Sequence, residues 1–118
     1  MLSRVPGWPF PNVWLGVTCE SQDMFDRRWP ILAAVSSVVR FISYEPALSA
    51  LHLPEFGPIP DWVICGGETG PNARFMKPKW ARNLFRQCAD LRVAFFMKQM
   101  TNKATIPPDL LVRKYPVL

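Results

Sequence analysis

The stretch Asp61–Gly70, DWVICGGETG, carries the clearest structural signal in the chain. Its first part, Trp62–Cys65, is a short continuous apolar run, which is typical of a strand buried on both faces in a parallel sheet. Two glycines and a glutamate follow at once. Glycine permits positive φ and close approach of a ligand to the backbone, and a carboxylate can accept hydrogen bonds, bind a metal or act as a general base. The stretch therefore predicts a strand that ends at a binding site, with an ordinary polar turn as the alternative.

Three more segments have the same apolar character, namely Val13–Thr18 (VWLGVT), Val38–Ser43 (VVRFIS) and Ala94–Met97 (AFFM). Helix-length segments separate the first strand from the second and the third from the fourth, whereas a proline-rich loop separates the second from the third. This alternation predicts an α/β fold of parallel βα units with about four strands.

Two helices are predicted between these strands. Ser21 is a suitable N-cap for a helix that runs through QDMFDRRW and into ILAAVSS, and Pro30 is expected to kink or split it. The second helix is predicted over Pro78–Leu91, since proline suits the first helical position. Its apolar stripe, which we interpret as core packing, comprises Trp80, Leu84, Cys88 and Leu91.

Polar or charged residues directly follow every predicted strand. In parallel α/β folds the carboxyl ends of the strands meet at one edge of the sheet, where ligands bind. Carboxylates gathered there would raise one another's pKa unless Lys98 or a cationic ligand compensates. Arg74 and Lys77, after the glycine turn, could lean over the same mouth and bind an anionic group. The residues that follow the strands are Glu20, Glu45, Gly66, Gly67, Glu68, Lys98 and Gln99.

The composition indicates one domain over residues 1–118, with less regular segments at 1–11 and 101–118. The chain is 49% hydrophobic and has a net charge of +5 at pH 7. A basic chain favours polyanions, but its lysines and arginines are scattered, so nucleic-acid binding is a weakly supported alternative. The three cysteines form no CxxC, which favours reduced buried thiols and no metal site. No signal peptide or membrane-spanning run is visible, which predicts a cytoplasmic protein.

Four segments carry a resemblance to a known family: PNVWLGVTCES, RFISYEP, DWVICGGETGPNARFMKPKW and FFMKQ. They resemble the phage Gp37/Gp68-like family, a domain of unknown function, and the tail IPPDLLVRKYP is similar to the end of that family. The resemblance implies the carboxyl-terminal half of a radical S-adenosylmethionine-like protein, folded as half of a TIM-like barrel. Carried over by motif, it implies a strand-end ligand site at Glu20, Ser43, Glu45, Gly66, Gly67, Glu68, Lys98 and Gln99.

The resemblance implies cofactors only for longer relatives. In those, an amino-terminal half carries three closely spaced cysteines of the type that holds a 4Fe–4S cluster beside S-adenosylmethionine. This chain starts just before the PNVWLG segment, and its own cysteines, Cys19, Cys65 and Cys88, fall on different predicted elements. We therefore expect no cofactor in this chain and no activity of the chain alone, and we assign no catalytic residue.

An open half-barrel would leave two strand edges and one apolar face uncovered. We therefore expect self-association into a dimer, a missing amino-terminal half as partner, or a tail that covers the open side. The favoured function is the substrate-side part of a radical S-adenosylmethionine-like protein. The alternatives are a non-catalytic binding module for nucleic acid or a protein partner, and a non-functional remnant. No membrane partner is expected.

Overall fold

The computed structural model describes residues 4–117, in which strands and helices alternate along the chain. The strands are β1 (Leu15–Cys19), β2 (Arg40–Tyr44), β3 (Trp62–Gly66) and β4 (Ala94–Gln99), and the helices are α1 (Gln22–Ala33) and α2 (Pro78–Leu91). Two single-turn 3-10 helices, Thr101–Lys103 and Pro108–Leu110, follow β4.

The four strands are parallel and lie side by side in chain order, β1-β2-β3-β4. This sheet with its two helices confirms the predicted α/β fold of parallel βα units. A sheet in which every strand lies beside its predecessor is also the arrangement that a TIM-like half-barrel requires. Two rows of side chains cross one face of the sheet, Val17-Ile42-Val63-Phe95 and Cys19-Tyr44-Cys65-Met97.

The core lies between this face and the two helices. α1 contributes Phe25, Trp29 and Leu32, and α2 contributes Ala81, Leu84 and Cys88. Because both helices pack on the same rows of the sheet, they lie on one side of it, and the opposite face is left without a helix in the described part of the chain.

The strand boundaries differ slightly from those predicted. β1 and β2 each begin two residues later and end one residue later, while β3 extends by one residue and β4 by two residues. The apolar run marks where a strand can be buried, but the ladder partners set where it pairs. Leu15, for example, enters the sheet by donating its amide to the Val39 carbonyl at 3.1 Å.

α1 continues through Pro30 as one helix, so the predicted split does not occur, and the helix ends at Ala33 instead of running through Ser37. Ser21 caps it as predicted, since its side chain accepts a hydrogen bond from the Met24 amide at 3.3 Å. Trp29 and Leu32 are buried on either side of the exposed proline, and we infer that this packing holds both parts of the helix in one line.

α2 has the predicted bounds and carries a proline in its first turn. The residue after its end is Arg92, which caps the helix in the left-handed conformation with φ of 58°. The predicted apolar stripe is correct at its centre and wrong at its end: Leu84 and Cys88 are buried, whereas Leu91 is 36% exposed.

The carboxyl-terminal tail covers the β4 side of the face that lacks a helix. Val112 accepts a hydrogen bond from the Met97 amide at 2.7 Å, and Lys114 donates its amide to the Phe95 carbonyl at 3.0 Å. The ring of Tyr115 lies 5.3 Å from the ring of Trp62, centroid to centroid. The tail therefore occupies the outer edge of β4, as one of the expected arrangements requires.

The other edge of the sheet is less covered. Within residues 4–117, β1 pairs with β2 alone, and the Arg28 side chain donates a hydrogen bond to the Thr18 carbonyl. None of the helices described for this chain is long and apolar enough to cross a membrane.

Candidate functional site

The two glycines after β3 make room for other parts of the chain. A Cβ on Gly66 would lie 3.1 Å from the carboxyl carbon of Glu45, and a Cβ on Gly67 would collide with the backbone nitrogen of Thr101. Positive φ, which the sequence suggested for this turn, occurs in it only at Gly70. The glycines at the end of β3 are therefore needed for close approach, and the approaching groups belong to the protein itself.

The turn after β3 is joined to the end of β4 by two hydrogen bonds. The Gly67 amide donates to the Gln99 carbonyl at 2.9 Å, and the Gln99 side chain donates to the Gly67 carbonyl at 3.0 Å. The predicted role of Gln99 as a ligand-binding group is untested, but its amide nitrogen already has a structural partner.

Glu45 is the centre of a polar cluster at the strand ends. One carboxylate oxygen accepts a hydrogen bond from the Ser43 hydroxyl at 2.9 Å, and the other accepts one from Lys98 Nζ at 3.1 Å. Gly66, on β3, separates the strand that leads into Glu45 from the strand that holds Lys98. Because Gly66 has no side chain, the glutamate and the lysine can meet across it. The Glu45 side chain is 19% exposed and that of Lys98 51% exposed.

Glu68 has a different partner. One of its carboxylate oxygens accepts hydrogen bonds from the backbone amide of Arg74 at 2.8 Å and from its Nε at 3.0 Å, and the other accepts one from Nη2 at 2.7 Å. These hydrogen bonds lower the pKa of Glu68 to about 2. Arg74 is therefore the compensating cation for this carboxylate, and its binding of an anionic group over the mouth stays a prediction.

Glu20 stands apart from the other strand-end residues. It follows β1 and is exposed. The pKa of Arg74 is raised chiefly by its hydrogen bond to Glu68, and the negative charge of Glu20 adds a smaller contribution. Glu20 therefore lies near the Glu68–Arg74 pair and outside the Ser43–Glu45–Lys98 cluster.

Six of the eight predicted site residues line one shallow concavity at the carboxyl ends of the strands. Of the other two, Gly66 lies beneath Glu45 and Glu20 lies beside Arg74. Thr18, Pro46 and Thr69 complete the lining. The shared concavity follows from the parallel sheet, because each strand delivers its last residues to the same edge. The six residues are Ser43, Glu45, Gly67, Glu68, Lys98 and Gln99.

A group of residues next to this concavity was missed by the sequence analysis. It lies on the face without a helix and includes Phe41, Trp62, Phe96, Arg113 and Tyr115. For the strand residues a signal existed, because Phe41, Ser43 and Glu45 alternate, as do Phe96 and Lys98, with core residues between them. The two tail residues had no local signal, since only long-range contacts bring them to the sheet.

The residues described here do not fit an iron–sulfur cluster. Cys19, Cys65 and Cys88 are buried in β1, β3 and α2. Burial raises the pKa of the Cys65 thiol and of the Cys88 thiol to about 12, and it also raises the pKa of Cys19. Across residues 4–117 no three metal-ligating side chains come together. The cysteines are buried free thiols of the core, as the sequence predicts.

The chain was compared with models of known protein families, with the curated proteins and with the solved structures. The family model described as Protein of unknown function (DUF5131) matches residues 1–108 of this chain. Searches of the curated proteins and of the solved structures found no match.

Proposed function

The chain belongs to the family described as Protein of unknown function (DUF5131), and on that premise we propose that it forms the substrate-side wall of a TIM-like barrel. In this proposal the ligand site is the concavity at the carboxyl ends of β1–β4. The observation that carries it is the convergence of Ser43, Glu45 and Lys98 on the side of the sheet that no helix covers within residues 4–117.

The arrangement of layers supports a barrel wall. In a TIM-like barrel the helices lie outside, the strands follow one another in chain order, and the inner face is filled from within. Here both helices pack on one face, and the other face carries large aromatic side chains with polar groups at its carboxyl end. A second set of strands would extend such a wall at the less covered edge of β1, because the tail occupies the outer edge of β4.

The resemblance to the phage Gp37/Gp68-like family supports a more specific proposal. The completing strands would come from a segment with three closely spaced cysteines, and the assembled barrel would be a radical S-adenosylmethionine-like protein. The cysteines of this chain do not fit the cluster, so its own contribution is confined to binding and orienting a substrate. Glu45 would accept hydrogen bonds from that substrate, and the contact with Lys98 would hold the carboxylate in place.

The test is co-expression with the three-cysteine half of a longer family member. We expect a complex with one copy of each half on a sizing column with light scattering. The matched variant Glu45→Gln should assemble equally well, because Gln keeps the shape of the side chain, so assembly is tested separately from the charge of Glu45. Elution of the two halves as separate species would overturn the proposal.

Two alternatives to a complex of the two halves make different predictions. A second copy of this chain could complete the wall, in which case the chain alone would elute as a defined dimer. A non-catalytic module for nucleic acid would bind with an affinity that falls steeply as salt rises. Nucleic-acid binding would need unpaired basic side chains, and three arginines are instead paired with carboxylates. These pairs are Arg27 with Asp23, Arg74 with Glu68 and Arg82 with Asp109.

A further inference from the structure

One cavity on the sheet face without a helix combines aromatic rings with basic side chains. It is bounded by Phe41, Trp62, Phe96 and Tyr115 on its apolar side and by Lys98 and Arg113 on its polar side. Its volume is about 590 Å³, which lies within the range of about 300–1,000 Å³ that is usual for small-molecule sites. The cavity adjoins the strand-end concavity and shares Ser43, Glu45 and Lys98 with it.

The guanidinium of Arg113 is held in place by neutral groups. Its Nε donates to the Met97 carbonyl at 3.0 Å, and its Nη2 donates to the Lys98 carbonyl at 2.8 Å. Its central carbon lies 5.4 Å from the centre of the Phe96 ring. These contacts fix the position of the side chain and leave further N–H groups, because a guanidinium has five donors.

The positive charge of Arg113 is not balanced within the cavity. The ion pairs among the described residues are Arg27–Asp23, Arg74–Glu68, Arg82–Asp109 and Lys98–Glu45. Lys98 and Glu45 therefore neutralise each other, and Arg113 gives the cavity an excess of one positive charge. An anionic group of a ligand would complement this charge and could accept hydrogen bonds from the remaining N–H groups of Arg113 and Lys98.

The apolar side of the cavity suits a planar ring. Phe96 lies 6.1 Å from Trp62 and 5.5 Å from Tyr115, measured between ring centroids. Both pairs have edge-to-face geometry, so the rings offer surfaces of different orientation to a bound group. A flat π-system gains from stacked or edge-on contact with such rings.

We propose that this cavity binds a planar aromatic ligand that carries an anionic group, with its ring against Phe96 and the exposed Tyr115 and its anion on Arg113. The inference rests on the proposed function, since it names the ligand class of the same barrel wall. A nucleoside monophosphate and an aromatic carboxylate share this chemistry, and the experiment distinguishes the two.

The experiment titrates the purified chain with two complete probes and two partial ones. The complete probes are AMP and indole-3-acetate, and the partial ones are adenosine and inorganic phosphate. Binding is followed by NMR on the Trp62 indole N–H, which donates to the Lys114 carbonyl at 2.8 Å, and on the Arg113 Nε–H. We expect at least one complete probe to bind tenfold or more tightly than either partial probe. AMP alone would identify a phosphate ligand, and indole-3-acetate alone a carboxylate ligand.

Variants test the role of the arginine. Arg113→Gln should weaken the binding of the complete probe at least tenfold, whereas Arg86→Gln, an exposed change on α2, should leave it unaltered. Because Arg113 also anchors the tail, Lys98→Gln provides a second variant, which should weaken binding without touching that anchor. Equal affinity for complete and partial probes, or unaltered affinity in both Arg113→Gln and Lys98→Gln, would overturn the inference.

The two proposals fail separately. A chain that assembles with the three-cysteine half but does not prefer complete probes contradicts the ligand class alone. A chain that binds the complete probe through Arg113 but never assembles with that half contradicts the barrel-wall proposal alone.

Discussion

At the scale of single residues, two of the three glutamates that follow the strands are each paired with a cation. Glu45 pairs with Lys98, and Glu68 pairs with Arg74. Mutual repulsion between the carboxylates is therefore offset locally, and for Glu68 the net effect on the pKa is a decrease. The charges at the mouth are held in fixed positions, which is a requirement for orienting a polar ligand.

The Glu68–Arg74 pair predicts a dependence of stability on pH. A carboxylate whose pKa is lower in the folded chain stabilises the fold above its ordinary pKa of 4.5, and this contribution is lost as the pH falls toward the folded-state value of about 2. We expect the melting temperature of the chain to decrease through this range, and the decrease to be smaller in Glu68→Gln. Thermal melts at closely spaced pH values would measure it.

The control for this prediction is Glu55→Gln, a change at an exposed glutamate in the proline-rich loop. It should keep the acid sensitivity of the original chain. If Glu68→Gln and Glu55→Gln lose stability in parallel as the pH falls, the ion pair with Arg74 does not contribute to folding in solution.

At the scale of elements, the segment between β2 and β3 is positioned by side chains of both helices. Gln22 of α1 donates to the His52 carbonyl at 3.1 Å and accepts from the His52 amide at 2.7 Å. Gln87 of α2 accepts from the Leu53 amide at 2.8 Å and donates to the Leu51 carbonyl at 2.7 Å. Each glutamine therefore pairs with the loop backbone as a neighbouring strand would, which keeps an irregular connection in contact with the core.

Removal of the Gln87 amide should loosen this connection. Gln87→Ala leaves one backbone donor and one acceptor of the half-buried loop without a partner, and we expect a loss of about 1–3 kcal/mol in the free energy of unfolding. Arg86→Ala is the matched control, because it also introduces an alanine into α2, at an exposed neighbouring position. Urea denaturation of both variants would check this, and equal midpoints would show that the loop does not need the glutamine.

At the scale of the whole molecule, the three cysteine thiols lie in one hydrophobic core. Cys19, Cys65 and Cys88 belong to β1, β3 and α2, and all three are buried in the same apolar cluster. Burial keeps these thiols protonated near neutral pH, and a protonated thiol is a poor nucleophile. Their reactivity is therefore limited by opening of the core.

We expect iodoacetamide at pH 8 to leave the folded chain unmodified and to label all three thiols together as urea unfolds it. Mass spectrometry after a short pulse would then detect chains with no label or with three labels. Chains with one or two labels below the unfolding midpoint would contradict a single cooperative core and would identify the element that opens first.

The sequence by itself determined the class of fold and most of the strand-end residues. Apolar runs of strand length, alternating with helical segments, specify a parallel sheet because both patterns arise from local periodicity and burial. Parallel strands bring their last residues to one edge, so Glu45 and Lys98 could be placed together without knowledge of any contact, and the family resemblance added Ser43 to them. The bounds of α2 followed from a proline at its start and from the apolar period.

The tertiary structure alone decided which charges pair and what covers the sheet. Three contacts show this: Arg74 pairs with Glu68, Gly66 makes space for the Glu45 side chain, and Arg113 lies over Phe96. Each depends on the distance between residues in the folded chain, which no local sequence pattern specifies. The tail is the clearest case. Its prolines exclude a long helix, but only the packing of Tyr115 and the hydrogen bonds to β4 determine where it lies, because contacts between distant segments have no periodicity in the sequence.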